Sequence, residues 1–223
     1  MSRWSEPEHA GWYLAMADRF PHRAEGEAVL AEQLPAGLRR ILDLGTGDGR
    51  LIALAIDARP GASAVGLDVS PPMLERARAR FAGEPRVEIM NHNLELSLPP
   101  MGSFDAVVSS FAIHHLEHDR KRGLYAEILA VLEPGGVFCN LEHVSSPTPR
   151  LHERFRRAMG IEHEPEDPTN RCLDVATQLA WLEELGYQDV DCYWKWMELA
   201  LLCGVKPAGA TASRKLAHDP SPR

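Results

Sequence analysis

The sequence has little cysteine and spends none of it on a recognisable framework. Its four cysteines, Cys139, Cys172, Cys192 and Cys203, include no Cys-x-x-Cys pair and sit mostly among apolar residues. That predicts free, buried thiols and argues against a zinc site or a disulfide scaffold. No apolar run is long enough to span a bilayer, and the N-terminus has no apolar h-region. Both absences predict a cytoplasmic protein with no membrane partner. Excess positive charge is missing too. A net charge of -8 and a pI near 5.7 give no broad electrostatic footprint for nucleic acid or an anionic surface. There is no internal repeat. What remains, 223 residues of which 44% are hydrophobic, is enough for one α/β domain with a real core.

The most informative stretch is Ile41-Leu42-Asp43-Leu44-Gly45-Thr46-Gly47-Asp48-Gly49-Arg50. A strand of buried character runs into three glycines at alternate positions, and a helical pattern follows. Such a turn lets a ligand touch the backbone. Arg50 stands where a dinucleotide fingerprint continues towards its last small residue, and the Gly-Lys-Ser/Thr of a Walker A loop is absent. The loop therefore suits a nucleoside-like ligand without a pyrophosphate; the alternative is a glycine turn with no ligand. Asp68 ends the apolar run Ala64–Val69, 23 residues after Gly45, where the second strand of a βαβ unit should end. A carboxylate there can accept hydrogen bonds from both ribose hydroxyls. Ser70 precedes Pro71 as a candidate helix N-cap, which leaves Asp68 for the ligand.

Gly66-Leu67-Asp68-Val69-Ser70, Gly102-Ser103-Phe104-Asp105, His114-His115-Leu116 and Leu132-Glu133-Pro134-Gly135-Gly136 follow the glycine loop in order. On these residues the chain resembles the class I S-adenosylmethionine-dependent methyltransferases over roughly residues 38–145. Its stretch 178–207 resembles the C-terminal end of small members with unassigned acceptors. The resemblance implies an α/β fold: a doubly wound, Rossmann-like, seven-stranded and mostly parallel sheet closed by an antiparallel C-terminal hairpin. It implies one domain over residues 1–207, with 1–35 an N-terminal helical lid, 145–172 an acceptor-side insert and 208–223 a disordered tail. It implies S-adenosyl-L-methionine as cofactor, S-adenosyl-L-homocysteine as product and a small-molecule acceptor as partner, with a homodimer left open. Carried over residue by residue, Asp43, Gly45, Thr46, Gly47 and Gly49 lie near the methionine end, and Asp68 and Val69 at the ribose. Met73, Asn93 and Leu94 lie at the adenine, and Ser110 at the strand end beside the loop. Trp12 and Tyr13 are contact candidates in the lid, and Arg19 or Arg23 in the same region would meet the ligand carboxylate. Asn93-Leu94 departs from the family's Asp-Ala, although an asparagine can still accept from the adenine amino group and donate to a ring nitrogen.

Hydrophobic periodicity predicts helices over 23–34, 49–59, 71–81, 123–132 and 173–185, with Gly186 as a left-handed cap. It predicts strands over 40–44, 63–69, 87–92, 104–110 and 137–144, then a hairpin of 187–194 and 196–205. His114 and His115 follow the strand next to the glycine loop. Being adjacent, they are expected to point apart: one is a general base or cofactor contact, or both are structural. Glu142 and His143 are further candidates for acid–base work. Residues 145–171 carry four prolines and the basic run Arg154, Arg156 and Arg157, followed by Glu162, Glu164, Glu166 and Asp167. They read as a short helix and a loop over the site, or as a solvated charged helix. The Asn/Asp-Pro-Pro-Tyr/Phe motif of many amino-group methyltransferases is absent, and no tyrosine has a lysine four residues on, as a short-chain dehydrogenase requires. The expected function is methyl transfer to a small-molecule oxygen or carbon acceptor, with His114, His115 and His143 as candidate catalytic residues and no metal. The alternatives are an RNA-directed or carboxy-S-adenosylmethionine-type enzyme, and a catalytically inert S-adenosylmethionine-binding regulator.

Overall fold

A computed structural model describes residues 21–209. Trp12, Tyr13, Arg19 and the remainder of the expected lid up to residue 20 lie outside the described residues, as does the tail from residue 210. In chain order the elements are α1 (Arg23–Gln33), β1 (Arg40–Leu44), α2 (Arg50–Ala58), β2 (Ser63–Asp68), α3 (Pro71–Arg80) and β3 (Val87–Asn91). There follow β4 (Phe104–Ser110), a 3₁₀ turn (Ile113–His115), α4 (His118–Val131), β5 (Leu132–His143), α5 (Pro149–Ala158), α6 (Val175–Leu185), β6 (Gln188–Trp196) and β7 (Leu199–Val205).

The strands form one seven-stranded sheet in the order β3-β2-β1-β4-β5-β7-β6. Strands β1 to β5 pair in parallel, and β7 runs antiparallel to both β5 and β6. Successive side chains on a strand face opposite sides, and the central strands are apolar on both. Ile41, Val108 and Cys139 thus pack with Leu30 of α1 and Ile52 of α2 on one face. Leu42, Val107 and Phe138 pack with Leu124, Ile128 and Leu182 of α4 and α6 on the other. The chain winds outward from β1 to β3 and then crosses back to β4. The carboxyl ends of β1 and β4 therefore flank the point where winding reverses, the usual ligand crevice of such sheets. No helix among the described residues is long and apolar enough to cross a membrane.

Three boundaries differ from expectation. Helix α4 starts at His118 rather than at 123, because the run Asp119-Arg120-Lys121-Arg122 belongs to its first turns. Strand β5 begins at Leu132, which pairs with Phe104 while Val137 pairs with Ala106, so Glu133–Gly136 bulges outward. The closing hairpin turns at Met197-Glu198, not at Lys195: Trp196 pairs with Leu199. Gly186 caps α6 in the left-handed region at φ 101°.

Candidate functional site

The glycine loop is fixed from below. The Gly45 and Thr46 amides both donate to the Leu67 carbonyl, at 2.8 and 2.9 Å. All three glycines have left-handed φ, at 71°, 56° and 84°. Their surroundings differ. A Cβ on Gly45 would lie 2.2 Å from Ala112 Cβ, and one on Gly49 2.4 Å from the Phe81 ring. A Cβ on Gly47 would meet no described atom within 4 Å. Gly45 and Gly49 are thus glycine for packing, whereas Gly47 presents bare backbone to open space.

Carboxylates surround this loop. Asp43 is buried, with Oδ2 accepting from Thr46 Oγ1 at 2.7 Å and Oδ1 without a partner among the described residues. Burial raises its pKa, the Thr46 hydrogen bond opposes this, and Asp68 and Asp48 add repulsion; the result is about 7. Asp68 is partly buried at the end of β2. Its Oδ2 accepts the Gly47 amide and its Oδ1 the Ser70 amide, each at 2.8 Å. Burial raises its pKa against these amide hydrogen bonds. Ser70 occupies the N-cap position of α3, but its hydroxyl caps nothing and is buried without a partner among the described residues. Asp68 accepts the backbone amide of Ser70 itself, a different group from the helix amides a cap would engage. Val69 lies between the two. Ser110 Oγ, at the end of β4, is also buried and unpartnered among the described residues.

The adenine-side candidates divide. Asn93 spends Oδ1 on the Glu95 amide at 3.0 Å, so its amide nitrogen is the part left to recognise a ligand. Leu94 packs into the core with Leu42 and Val65, and its carbonyl accepts from Arg120 Nε at 2.7 Å. Met73 is 2% exposed. Next to Asn93, His92 has a buried Nε2, unpartnered among the described residues, that the sequence did not single out. Arg23 is buried, paired with Glu27 at 2.8 Å, and its guanidinium stacks 5.3 Å from the Phe111 ring centroid. Together the open face of Gly47, the orphaned carboxylate oxygen of Asp43 and the concentration of negative charge fit a ligand with cationic groups. A sulfonium nucleoside with an amino-acid tail has them, and a pyrophosphate does not.

Beyond β4 the chain turns sharply at Phe111, whose φ of 52° is strained for a bulky residue. This turn opens a cavity of about 1250 Å³ between the strand ends and residues 145–172. Both His114 and His115 line it, with ring centroids 4.0 Å apart. The expectation that adjacent residues point apart does not hold here: in a 3₁₀ turn neighbours are about 120° apart, and both rings reach the same space. His114 Nδ1 lies 2.7 Å from Glu142 Oε1, in a fully buried contact. Glu142 also accepts the His143 amide at 2.8 Å and Asn140 Nδ2 at 3.4 Å. A carboxylate so supplied with donors acts as acceptor, which places the His114 proton on Nδ1 and its lone pair on Nε2. Burial raises Glu142 and holds His114 well below the usual histidine range, with the His143 charge adding to the latter. Burial first, and then the neighbouring His114 ring, push His115 down to about 3. Its Nδ1 meets Thr169 Oγ1 at 3.1 Å, and that hydroxyl donates to Asp167 at 2.8 Å.

His143 is different. Its Nε2 lies 3.1 Å from Glu198 Oε2, and Glu198 comes from the β6–β7 turn, 1% exposed. The same carboxylate meets His152 Nδ1 of α5 at 2.9 Å. Burial would lower His143, but hydrogen bonds to Cys172 and Glu198 outweigh it and raise it to about 10. Glu198, His152 and Cys172 were not among the sequence candidates. Among the described residues no group of histidine, cysteine and acidic side chains could hold a metal ion. All four cysteines are free, but only Cys139 and Cys203 are buried; Cys172 stands in the cavity wall.

Residues 41–136 match a family model described as a methyltransferase domain. A demethylmenaquinone methyltransferase of Clavibacter sepedonicus is 34% identical over 196 residues, 80% of this chain and 78% of that protein. An uncharacterized methyltransferase of Mycobacterium tuberculosis is 35% identical over 125 residues, 56% of this chain; the match spans only 59% of that relative's length. Among solved structures, an O-methyltransferase family protein from Burkholderia thailandensis superposes with a TM-score of 0.73 at 20% identity, over 93% of this chain and 63% of that one.

Proposed function

Because the chain belongs to the class I S-adenosylmethionine-dependent methyltransferases, we propose that it transfers a methyl group from S-adenosylmethionine to an oxygen or carbon atom of a small-molecule acceptor in the cytoplasm. The observation that carries this reading is the His114–Glu142 pair, 2.7 Å apart, in the wall of a large cavity at the strand ends. When bound, the cofactor supplies an already activated methyl group. The protein's tasks are then binding, orientation, exclusion of water and, for a hydroxyl or carbon-acid acceptor, removal of a proton.

The residues divide these tasks. Gly45–Gly49 and Asp68 hold the nucleoside, with Asp43 near its cationic end and Asn93 at the base. Residues 145–172 cover the acceptor. His114 takes the acceptor proton on Nε2. Glu142 fixes the ring and stabilises the imidazolium that forms, the part a buried carboxylate plays in other histidine-based sites. His114 is held far below the usual range, so it is unprotonated and ready at neutral pH. The likeness to a demethylmenaquinone methyltransferase supports a small-molecule acceptor.

Calorimetric titration with S-adenosylmethionine, S-adenosylhomocysteine and NADH tests the donor half. Micromolar binding of the first two, lost in Asp68→Ala, with no NADH signal, is expected. Turnover of phenolic and carbon-acid acceptors then tests the rest. His114→Gln should lower kcat by about 10²–10⁴-fold while leaving donor affinity in place. Unchanged kcat in that variant would remove the proton-abstraction reading.

A further inference from the structure

Between β3 and β4 the chain runs irregularly from residue 92 to residue 103, and its first turn borders the donor side of the sheet. Asn91 pairs with Asp68 in the register of β3 on β2, and the His92 amide donates to the Asp68 carbonyl at 2.9 Å. Asn93 therefore follows directly on a residue tied to Asp68. Its side chain is oriented by its own turn. Asn93 Oδ1 accepts the Glu95 amide at 3.0 Å, and its carbonyl accepts the Leu96 amide at 2.9 Å, an Asx turn inside a β-turn. With the oxygen turned into the loop, Nδ2 is the group this turn presents.

What holds the turn in place comes from α4. Arg120 Nε donates to the Leu94 carbonyl at 2.7 Å, and Nη2 to the Leu96 carbonyl at 2.8 Å. The same guanidinium meets both oxygens of Glu127, seven residues on along the helix, at 2.6 and 3.1 Å. Glu127 Oε2 also accepts the Leu98 amide at 2.9 Å. One bidentate ion pair thus takes two carbonyls and an amide from alternate residues of the loop. Its side chains are only 16% and 28% exposed, so water screens it less than a surface pair. Burial alone would raise the Glu127 pKa, but the hydrogen bonds from Arg120 and the Leu98 amide outweigh it and hold the carboxyl below its usual range. Arg120 is the third residue of α4, where a cation opposes the helix dipole. The helix gains nothing from it there, and its contacts go to the loop and to Glu127.

Building on the donor site proposed above, we propose that Arg120, locked by Glu127, is the positioning residue that aims Asn93 Nδ2 at a bare ring nitrogen of the base, and so selects adenine over a base protonated at that nitrogen. An amide nitrogen only donates. Adenine offers N1 as an acceptor. Hypoxanthine carries a hydrogen on N1 and sets donor against donor. Arg120 acts through the loop and does not itself touch the base.

Calorimetric titration of the full chain with S-adenosylhomocysteine and with S-inosylhomocysteine tests this. The unmodified chain should bind the adenine compound about tenfold more tightly. Asn93→Ala and Arg120→Ala should each bring the two affinities to within about twofold, and the double variant should be no worse than Asn93→Ala alone. Glu127→Gln keeps an acceptor for the Leu98 amide but not the charge that locks Arg120, and should lose part of the preference; it carries the measurement if Arg120→Ala does not fold. Equal affinities in the unmodified chain would overturn the proposal, as would a preference that survives Arg120→Ala or, where that variant does not fold, Glu127→Gln. A further loss of S-adenosylhomocysteine affinity on adding Arg120→Ala to Asn93→Ala would overturn it too, because the arginine would then act on the fold and not through Asn93. If S-adenosylhomocysteine does not bind the unmodified chain at all, the donor site itself falls and this inference with it. Binding without discrimination removes the inference alone.

Discussion

Gly45 and Gly47 share a left-handed backbone and face opposite consequences on substitution. In Gly45→Ala the new methyl collides with Ala112 Cβ at 2.2 Å, so overpacking adds to left-handed strain, about 2–4 kcal/mol together. In Gly47→Ala only the strain remains, about 1–2 kcal/mol, but the methyl fills the space a ligand needs. Urea unfolding and calorimetry should therefore separate them: Gly45→Ala loses mainly stability, and Gly47→Ala mainly donor affinity. Equal stability losses with unchanged affinity in Gly47→Ala would mean the loop does not touch the ligand. The alternation of glycines was legible because no other residue meets both demands. Which glycine served which demand was not, since that depends on Ala112 and Phe81, far away in sequence. Ser70 misled for a related reason: an N-cap position is visible in sequence, whereas the fact that its hydroxyl accepts none of the helix amides is not.

At the level of elements, α5 is the part most exposed to test. Its N-cap is Thr148, whose Oγ1 accepts the Leu151 amide at 3.3 Å, and it carries His152 and Phe155 into the cavity wall. Thr148→Ala should cost about 1 kcal/mol and loosen this helix, seen as faster hydrogen exchange over residues 149–158. The acceptor KM should rise and S-adenosylmethionine affinity should hold. A parallel loss of donor affinity would show that α5 does not belong to the acceptor side alone. Repeating apolar residues and flanking glycines made the strands and most helices readable. The β6–β7 turn was not, because Met197-Glu198 contains no turn-forming residue; its conformation is imposed by the buried contacts of Glu198. Lys121 escaped notice for the same kind of reason. It sits in a run of charges that reads as a solvated face, yet it is fully buried and donates to the Arg171 carbonyl.

Across the whole molecule, two buried groups oppose one another as pH changes. The Asp43 pKa is raised from 3.8 to about 7, so its stabilisation is complete below 3.8 and lost as pH rises through 7. The His115 pKa is lowered from 6.5 to about 3, so its contribution is complete above 6.5 and lost as pH falls towards 3. Between these limits the two slopes offset each other. Asp43→Asn removes one of them. That variant should melt higher than the parent at pH 8 without cofactor, by an amount on the order of a few kcal/mol, and the two should converge near pH 4. It should also bind S-adenosylmethionine more weakly. Equal melting temperatures at pH 8 would show that Asp43 is not under strain in the free protein. The remaining consequence belongs to the segment between Ser145 and Leu173. Its two ends are clasped at 3.1 Å, Ser145 amide to Leu173 carbonyl, and the Arg171 amide is tied to the His114 carbonyl in the 3₁₀ turn as well. What lies between is a cassette on a fixed stem. Closing a longer loop on such a stem costs only about 0.6 kcal/mol for each doubling of its length. Descendants of this chain can therefore change the shape of the cavity roof, and with it the compounds admitted, while the donor half keeps its form.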